Sequence, residues 1–398
     1  MSRLKDWDWD KMDHRSRLRI PLKMLISAIA AAVMITPIAA QTSFDLQSEL
    51  DAKREEASLV GMGAIIMTTD GDILGEAVSG KRVSGSDDPV ALDDAWHIGS
   101  NTKMLTALLY GLLVEEGHLH WGATLPELFP DLADTMHPDW KDVTIEHLLS
   151  HRSGLHANPP WTWFETSRHD QRSLSEQRYE LVKKALEAPP PNPVGEYLYS
   201  NYGFMVAGSA IERNATGKYD DQSDQYEDIF RRTLLTGNYA DPGHAWGFGV
   251  PQDGAQGHSV KLFVMTVPAG TKPDADNPAA LGPAGTAYVP MEQHALMLTR
   301  FLKDDDLPED LKTHILSGWP DDNSTYGLGM GRKDTQTAGM MYGHMGSNTV
   351  WVSNVLMAPE LDLVIIVNTN QGDAAARSAV NEFAQEILLA FVDTESGK

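Results

Sequence analysis

Residues 100–117 read SNTKMLTALLYGLLVEEG, and the segments on either side are organised around this stretch. Leu105, Leu108, Leu109, Leu112 and Leu113 recur at helical spacing over residues 100–116, and Gly117 supplies the stop. Ser100 and Lys103 stand three apart at the helix start, so they share one face, one turn apart. The positive end of a helix dipole favours an alkoxide there and disfavours an ammonium. An amine in that field can take the hydroxyl proton, which makes a weak hydroxyl a nucleophile. The pattern itself is cheap. Ser2-Arg3-Leu4-Lys5 matches it too, and a serine opening a helix is also the ordinary N-cap.

Working outward, a helical lead (44–57) precedes a buried strand at 59–68, a turn at Asp70-Gly71-Asp72 and a returning strand at 73–78. Strand signals reappear only near the other end. Residues 349–357 and 361–368 flank a turn at Ala358-Pro359-Glu360, and an amphipathic helix covers 374–391. The middle, about 120–320, mixes short helices with Pro/Gly loops, most irregular at Pro189-Pro190-Pro191 and over 268–283. Strands at both ends with helices between predict a mixed α/β (α+β) chain. Its N- and C-terminal strands join into one antiparallel sheet flanked by helices, with a mainly helical region inserted. The expected organisation is one catalytic domain over 41–398. Its sheet part lies at about 45–99 and 320–398, and its helical part at about 100–319.

Composition narrows the function. With 56 Asp+Glu against 32 Lys+Arg the formal net charge is −24, which repels nucleic-acid phosphates and anionic lipid alike. There is no cysteine, so disulfides, thiolate metal sites and a cysteine nucleophile are excluded. Arg15, Arg17, Arg19 and Lys23 lead into an apolar run at 24–40 that ends on Ala39-Ala40. This reads as a secretory signal peptide, with an uncleaved signal anchor as the competing reading. Residues 1–40 are therefore expected to be a leader, the protein to be exported to the periplasm or beyond, and membrane contact to occur only through an uncleaved anchor.

Two further short patterns carry chemistry. Tyr199-Ser200-Asn201 follows the proline-rich loop and Gly195. A phenol flanked by cations can shuttle protons to and from a nucleophile, and the Asn201 amide can hold Lys103 and a substrate carbonyl. A turn with a half-buried tyrosine fits the same residues. His344-Met345-Gly346-Ser347 leads into the expected 349–357 strand. Gly346 lets a substrate approach closely, and the N–H groups of Ser347 and Ser100 would form an oxyanion hole. His120-Trp121-Gly122 repeats the His-x-Gly pattern in a loop.

Order and context separate the patterns from their decoys. Ser-x-x-Lys on a helix, Tyr-x-Asn about 100 residues on, and His-x-Gly on a strand near the end form one layout. HIGSNTK (97–103) is followed by LLVEEGHL (112–119), VTIEHLLSHRSGL (143–155), YSNYG (199–203), LGPAG (281–285), YGLG (326–329) and HMGSNTVW (344–351). In these blocks the chain resembles the β-lactamase-related serine hydrolases. That group includes class C β-lactamases, D-Ala-D-Ala carboxypeptidases, D-aminopeptidases and lactamase-like esterases.

The resemblance implies Ser100 as nucleophile, Lys103 and Tyr199 as the base and acid pair, and Asn201 as an orienting group. His344 joins the catalytic set, and Gly346, Ser347 and Asn348 would bind the substrate with Asn201, with no cofactor and no metal. His344 stands where class C enzymes carry lysine. A histidine grips a carboxylate only when protonated, so such affinity is expected to weaken between about pH 6 and 8. The His-x-Gly form favours esterase or peptidase-like action on an ester, a D-amino-acid amide or peptide, with β-lactam hydrolysis ranked below. The rival of a different class is a non-catalytic penicillin-binding-like module that binds cell-wall peptides or a partner.

Other features are weaker. His147 and His151 are four apart on an expected helix, a zinc-pair spacing, but without the H-E-x-x-H order or a third ligand. The resemblance makes His151 a structural hydrogen-bonder. Asp304-Asp305-Asp306 lacks the spaced ligands of a calcium loop. Trp161, Trp163 and Phe164 fit either core packing or an apolar wall over the site. No G-x-S-x-G elbow is present, which rejects an α/β-hydrolase.

Overall fold

The computed structural model describes residues 45–215, 225–235, 246–261, 265–303 and 307–396. The expected leader and the Asp304-Asp305-Asp306 run lie outside the described residues. Among the described residues, no helix is long and apolar enough to cross a membrane.

Helix α1 (Leu46–Glu56) starts at Asp45, whose carboxylate accepts the Ser48 N–H. The hairpin of β1 (Gly61–Met67) and β2 (Ile73–Gly80) follows, then β3 (Ala95–His97). One 3₁₀ turn, Gly99–Asn101, leads into α2 (Thr102–Glu115). The helical region continues through α3 (Leu125–Leu128), α4 (Ile145–Leu149), α5 (Trp161–Ser167), α6 (Leu174–Glu187), α7 (Asn201–Asn214) and α8 (Tyr226–Leu234). Three short strands come next, β4 (Gly247–Phe248), β5 (His258–Lys261) and β6 (Met265–Pro268). Then come α9 (Gly282–Gly285), β7 (Ala287–Pro290), α10 (Met291–Lys303) and α11 (Glu309–Leu316). The chain closes through β8 (Gly331–Thr335), β9 (Gly339–Ser347), β10 (Val352–Ala358), β11 (Leu363–Thr369) and α12 (Ala374–Ser396).

Among the described residues, β2-β1-β11-β10-β9-β8 form one sheet in that order, every neighbouring pair antiparallel. The N-terminal hairpin thus docks on the last strand of the chain, as the sequence predicts. Its register pairs Ile65 with Ile366 and Ile66 with Ile365. Alternation sorts β1 between two cores. Ile65 and Met67 face the helical side with Val355, Ile366 and the α2 leucines. Met62, Ala64 and Ile66 face Leu50, Val380, Phe383 and Ile387 from α1 and α12. Both faces are covered, so all of β1 is buried and reads in sequence as an unbroken apolar run. Each such aliphatic side chain contributes roughly 1.5–3 kcal/mol on burial.

Three expectations need correcting. The regular helix starts at Thr102, with Ser100 two residues earlier in the 3₁₀ turn. His344 to Ser347 do not lead into the following strand but end a strand of their own, β9, while β10 begins only at Val352. The β9 sequence GMMYGHMGS is glycine-rich and lacks β-branched residues, so nothing local marks it; ladders to β8 and β10 hold it extended. Finally, α4 ends at Leu149, and His151 lies beyond it with φ 64°. His147 and His151 therefore do not share a helix face.

Candidate active site

The Ser100 turn is shaped by what glycines leave out. Gly99 has φ +52°, and a Cβ there would overlap the Ser347 backbone nitrogen. A Cβ on Gly346 would overlap the Ile98 carbonyl and stand 2.9 Å from the Ser100 nitrogen. Backbone therefore runs against backbone, and the nitrogens of Ser100 and Ser347 meet at one crossing. The Thr102 hydroxyl closes the turn by donating to the Gly99 carbonyl at 2.7 Å. Asn101 ties it to β10 through Ser353 Oγ at 2.9 Å.

Lys103 is completely buried. Its Nζ lies 3.0 Å from Ser100 Oγ, 2.7 Å from Asn201 Oδ1 and 2.6 Å from the Ala284 carbonyl. None of these partners is a carboxylate. Burial pushes the amine well below its usual range, so the neutral form is favoured. The hydrogen-bond count then closes. A neutral amine has two N–H groups for Asn201 and Ala284, which can only accept, and its lone pair remains for the Ser100 hydroxyl.

On the other side of the serine, the Tyr199 hydroxyl donates to Ser100 Oγ at 2.7 Å. Tyr199 is half-buried and packs on the His151 ring, centroids 4.3 Å apart. His151 Nδ1 accepts the Ser200 N–H at 3.0 Å, so its proton sits on Nε2, 3.1 Å from the Tyr326 hydroxyl. Both ring nitrogens are thus engaged within the protein, and burial keeps the ring well below its ordinary pKa.

His344 is buried within the site, its ring centroid 6.1 Å from that of Tyr199. Its Nδ1 donates to the Met345 carbonyl at 2.9 Å, leaving the Nε2 lone pair. Burial, the largest cause, pushes its pKa down to about 3. Burial thus works against an imidazolium grip on a carboxylate near neutral pH and favours the ring as an acceptor. A permanent cation does reach the strand, since Arg377 of α12 donates to Ser347 Oγ at 3.3 Å.

The structure thus gathers Ser100, Lys103, Tyr199, Asn201, His344, Gly346 and Ser347 in one place. Asn348 departs from its expected substrate-facing position. It is buried, donates to Asp276 Oδ1 at 2.6 Å and accepts the N–H groups of Val350 and Trp351 at 3.3 and 3.2 Å. Sequence reading missed Asn158, which accepts from Asn201 Nδ2 at 2.8 Å, together with Arg377, His97 and Asp276. The Ala284 carbonyl lay inside a recognised block, LGPAG, but a backbone acceptor leaves no mark in a sequence. Trp161 is 73% exposed, so the core reading fails for it, while Trp163 and Phe164 pack partly on the main core. Their helix α5 starts just after Asn158.

Comparison with known proteins gives the chain a family and a shared fold. The β-lactamase family model matches residues 46–389, and the chain belongs to that family. It is 29% identical to penicillin-binding protein 4 of Amycolatopsis lactamdurans over 175 residues, 44% of each chain. It is 36% identical to esterase EstB of Burkholderia gladioli over 121 residues, 29% of this chain and 30% of the esterase. The matched stretches span less than half the length of these curated relatives. Among solved structures, the D-amino acid amidase from Ochrobactrum anthropi superposes with a TM-score of 0.68 at 19% identity. That match covers 88% of this chain and 98% of the amidase, and shows a shared fold.

Proposed function

We propose that this protein is an exported serine hydrolase that transfers an acyl group from an ester or amide to water through an acyl-enzyme on Ser100. One observation carries the reading: the hydrogen-bonded line from Tyr199 through Ser100 to a buried Lys103 with no carboxylate partner. In acylation the Lys103 lone pair takes the Ser100 proton as Oγ bonds to the substrate carbonyl carbon. The resulting oxyanion sits at the Ser100 and Ser347 N–H groups. The bond to the leaving group then breaks, and that group departs with a proton from the Tyr199–Lys103 side. Water repeats the sequence on the acyl-enzyme, releasing the acid and restoring the Ser100 hydroxyl.

Substrate preference follows from His344. A neutral ring offers no charge to a β-lactam carboxylate, so esters and D-amino-acid amides rank above β-lactams. The likeness to an esterase and to an amidase fold points the same way. Placement outside the cytoplasm rests on the basic-then-apolar leader. The test is a fluorophosphonate probe followed by mass spectrometry, with Ser100→Ala assayed beside wild type on a chromogenic short-chain ester and a chromogenic cephalosporin. We expect label on Ser100, ester turnover exceeding cephalosporin turnover, and loss of both activities in the variant at unchanged Tm. Label elsewhere, or an active variant, sinks the proposal.

A further inference from the structure

Behind the Ser100 turn lies a buried polar cluster that the acyl-transfer chemistry does not use. His97, Asp276 and Asn348 are 1%, 4% and 5% exposed and come from β3, the 268–283 segment and the turn after β9. His97 Nδ1 accepts the Gly99 N–H at 3.1 Å, so the neutral ring carries its proton on Nε2. That Nε2 donates to Asp276 Oδ2 at 3.0 Å. The other carboxylate oxygen, Oδ1, accepts from Asn348 Nδ2 at 2.6 Å and from its neighbour Asn277 N–H at 2.7 Å. The Trp351 ring stacks on His97, centroids 5.1 Å apart and planes 18° apart, closing one side.

We propose that Asp276 is a positioning residue that clasps both halves of the oxyanion hole. One carboxylate oxygen holds, through His97, the residue immediately before Ser100. The other holds Asn348, the residue immediately after Ser347, and Asn348 Oδ1 in turn caps the Val350 and Trp351 N–H groups. The two N–H groups assigned to the oxyanion therefore stand on segments tied to a single buried side chain. Gly99 needs such a tie most, because glycine leaves its left-handed conformation freely when nothing holds it. The carboxylate also selects the tautomer. By accepting from Nε2 it keeps Nδ1 unprotonated toward Gly99, much as outer hydrogen bonds orient functional imidazoles elsewhere.

Asparagine at 276 would keep the shape but offer one acceptor where the cluster needs two. It must then release Asn348, or else donate to His97 and turn a second N–H against Gly99. The inference rests on the proposed acyl transfer at Ser100. Its test uses the full chain, with Asp276→Asn, His97→Asn and His97→Phe, each normalised by fluorophosphonate titration of Ser100. The readouts are kcat and KM on the chromogenic ester, inhibition by a simple aryl boronic acid, and Tm. A boronate forms a tetrahedral adduct whose oxygen occupies the oxyanion position, which ground-state substrate does not.

For Asp276→Asn, kcat per titrated site falls about ten- to a hundred-fold, below the loss expected for deleting an oxyanion donor outright. Boronate inhibition weakens in parallel, with KM nearly unchanged. His97→Asn, which restores an acceptor near Gly99, retains more activity than His97→Phe; should Asp276→Asn not fold, this pair carries the test. Variants that lose only Tm, with wild-type kcat and boronate inhibition per site, overturn the clasp. A wild-type enzyme with no label on Ser100 overturns the underlying reading and the clasp with it, whereas normal labelling beside unaffected variants overturns the clasp alone.

Discussion

Lys103 and Arg178 are both completely buried, both belong to the helical region, and both grip the same short segment of chain. Lys103 donates to the Ala284 carbonyl and Arg178 to the Ala280 carbonyl, at 2.6 and 3.3 Å. Their other partners differ in kind. Arg178 faces two carboxylates, with Nη2 at 2.6 Å from Glu212 Oε1 and 2.8 Å from Glu227 Oε2. Lys103 faces only neutral oxygens. Desolvation acts on both cations, but the two carboxylates outweigh it at Arg178, whose pKa rises, while nothing offsets it at Lys103, whose pKa falls. The first arrangement holds a charge in place as a structural bracket; the second lowers the cost of an uncharged amine, as the proposed base requires. What separates them is the company of carboxylates rather than depth of burial.

Breaking either side should have opposite signatures. Lys103→Met removes the base while sparing the fold, so kcat on the ester falls about 10²–10⁴-fold at nearly unchanged Tm. Steady-state kinetics beside a thermal melt will show whether the two effects separate. Arg178→Met leaves Glu212 and Glu227 facing each other in the interior, a loss of about 3–5 kcal/mol by denaturant titration. Rate per titrated active site should change far less than stability there; a variant that melts normally would contradict the bracket.

A more gradual effect, spread over several pH units, concerns other buried bases without carboxylates. His294 and His344 are each pushed down by burial to about 3, against an ordinary 6.5. The unfolded chain therefore binds more protons between those values, and stability present above about pH 6.5 is lost as pH falls toward 3. Each group contributes about 1.4 kcal/mol per pH unit in that window. Replacing His294, whose Nδ1 lacks a hydrogen-bond partner, by Leu should flatten the acid limb of Tm against pH by about one group's share. An unaltered slope would place the acid sensitivity elsewhere.

How much of this was legible in the sequence depended on whether a feature was local. Ser100 and Lys103 sit one turn apart, and Tyr199 with Asn201 lies within three residues, so short patterns found them. The β1 and β11 strands announced themselves by unbroken apolar runs. β9 did not, because GMMYGHMGS owes its extended form to the ladders on either side. β8, GRKDT, is a polar edge strand with no pattern of its own. Asp276 lies in a proline-rich segment that reads only as irregular, and its importance exists solely in its contacts. His344 was found by its spacing, but its lowered pKa was not legible, since spacing reveals neighbours along the chain and not the removal of water around a ring.

The meeting of Gly346 with Ile98 has one consequence for how this protein can change over time. Its clearance beside Ser100 is gauged by a hydrogen atom, the smallest spacer chemistry offers. Every single substitution at position 346 therefore pushes in one direction, forcing strand and turn apart and never drawing them closer. Exposed apolar side chains such as Trp161, Val194 and Leu198 are under no such gauge, so they can grow or shrink where position 346 cannot.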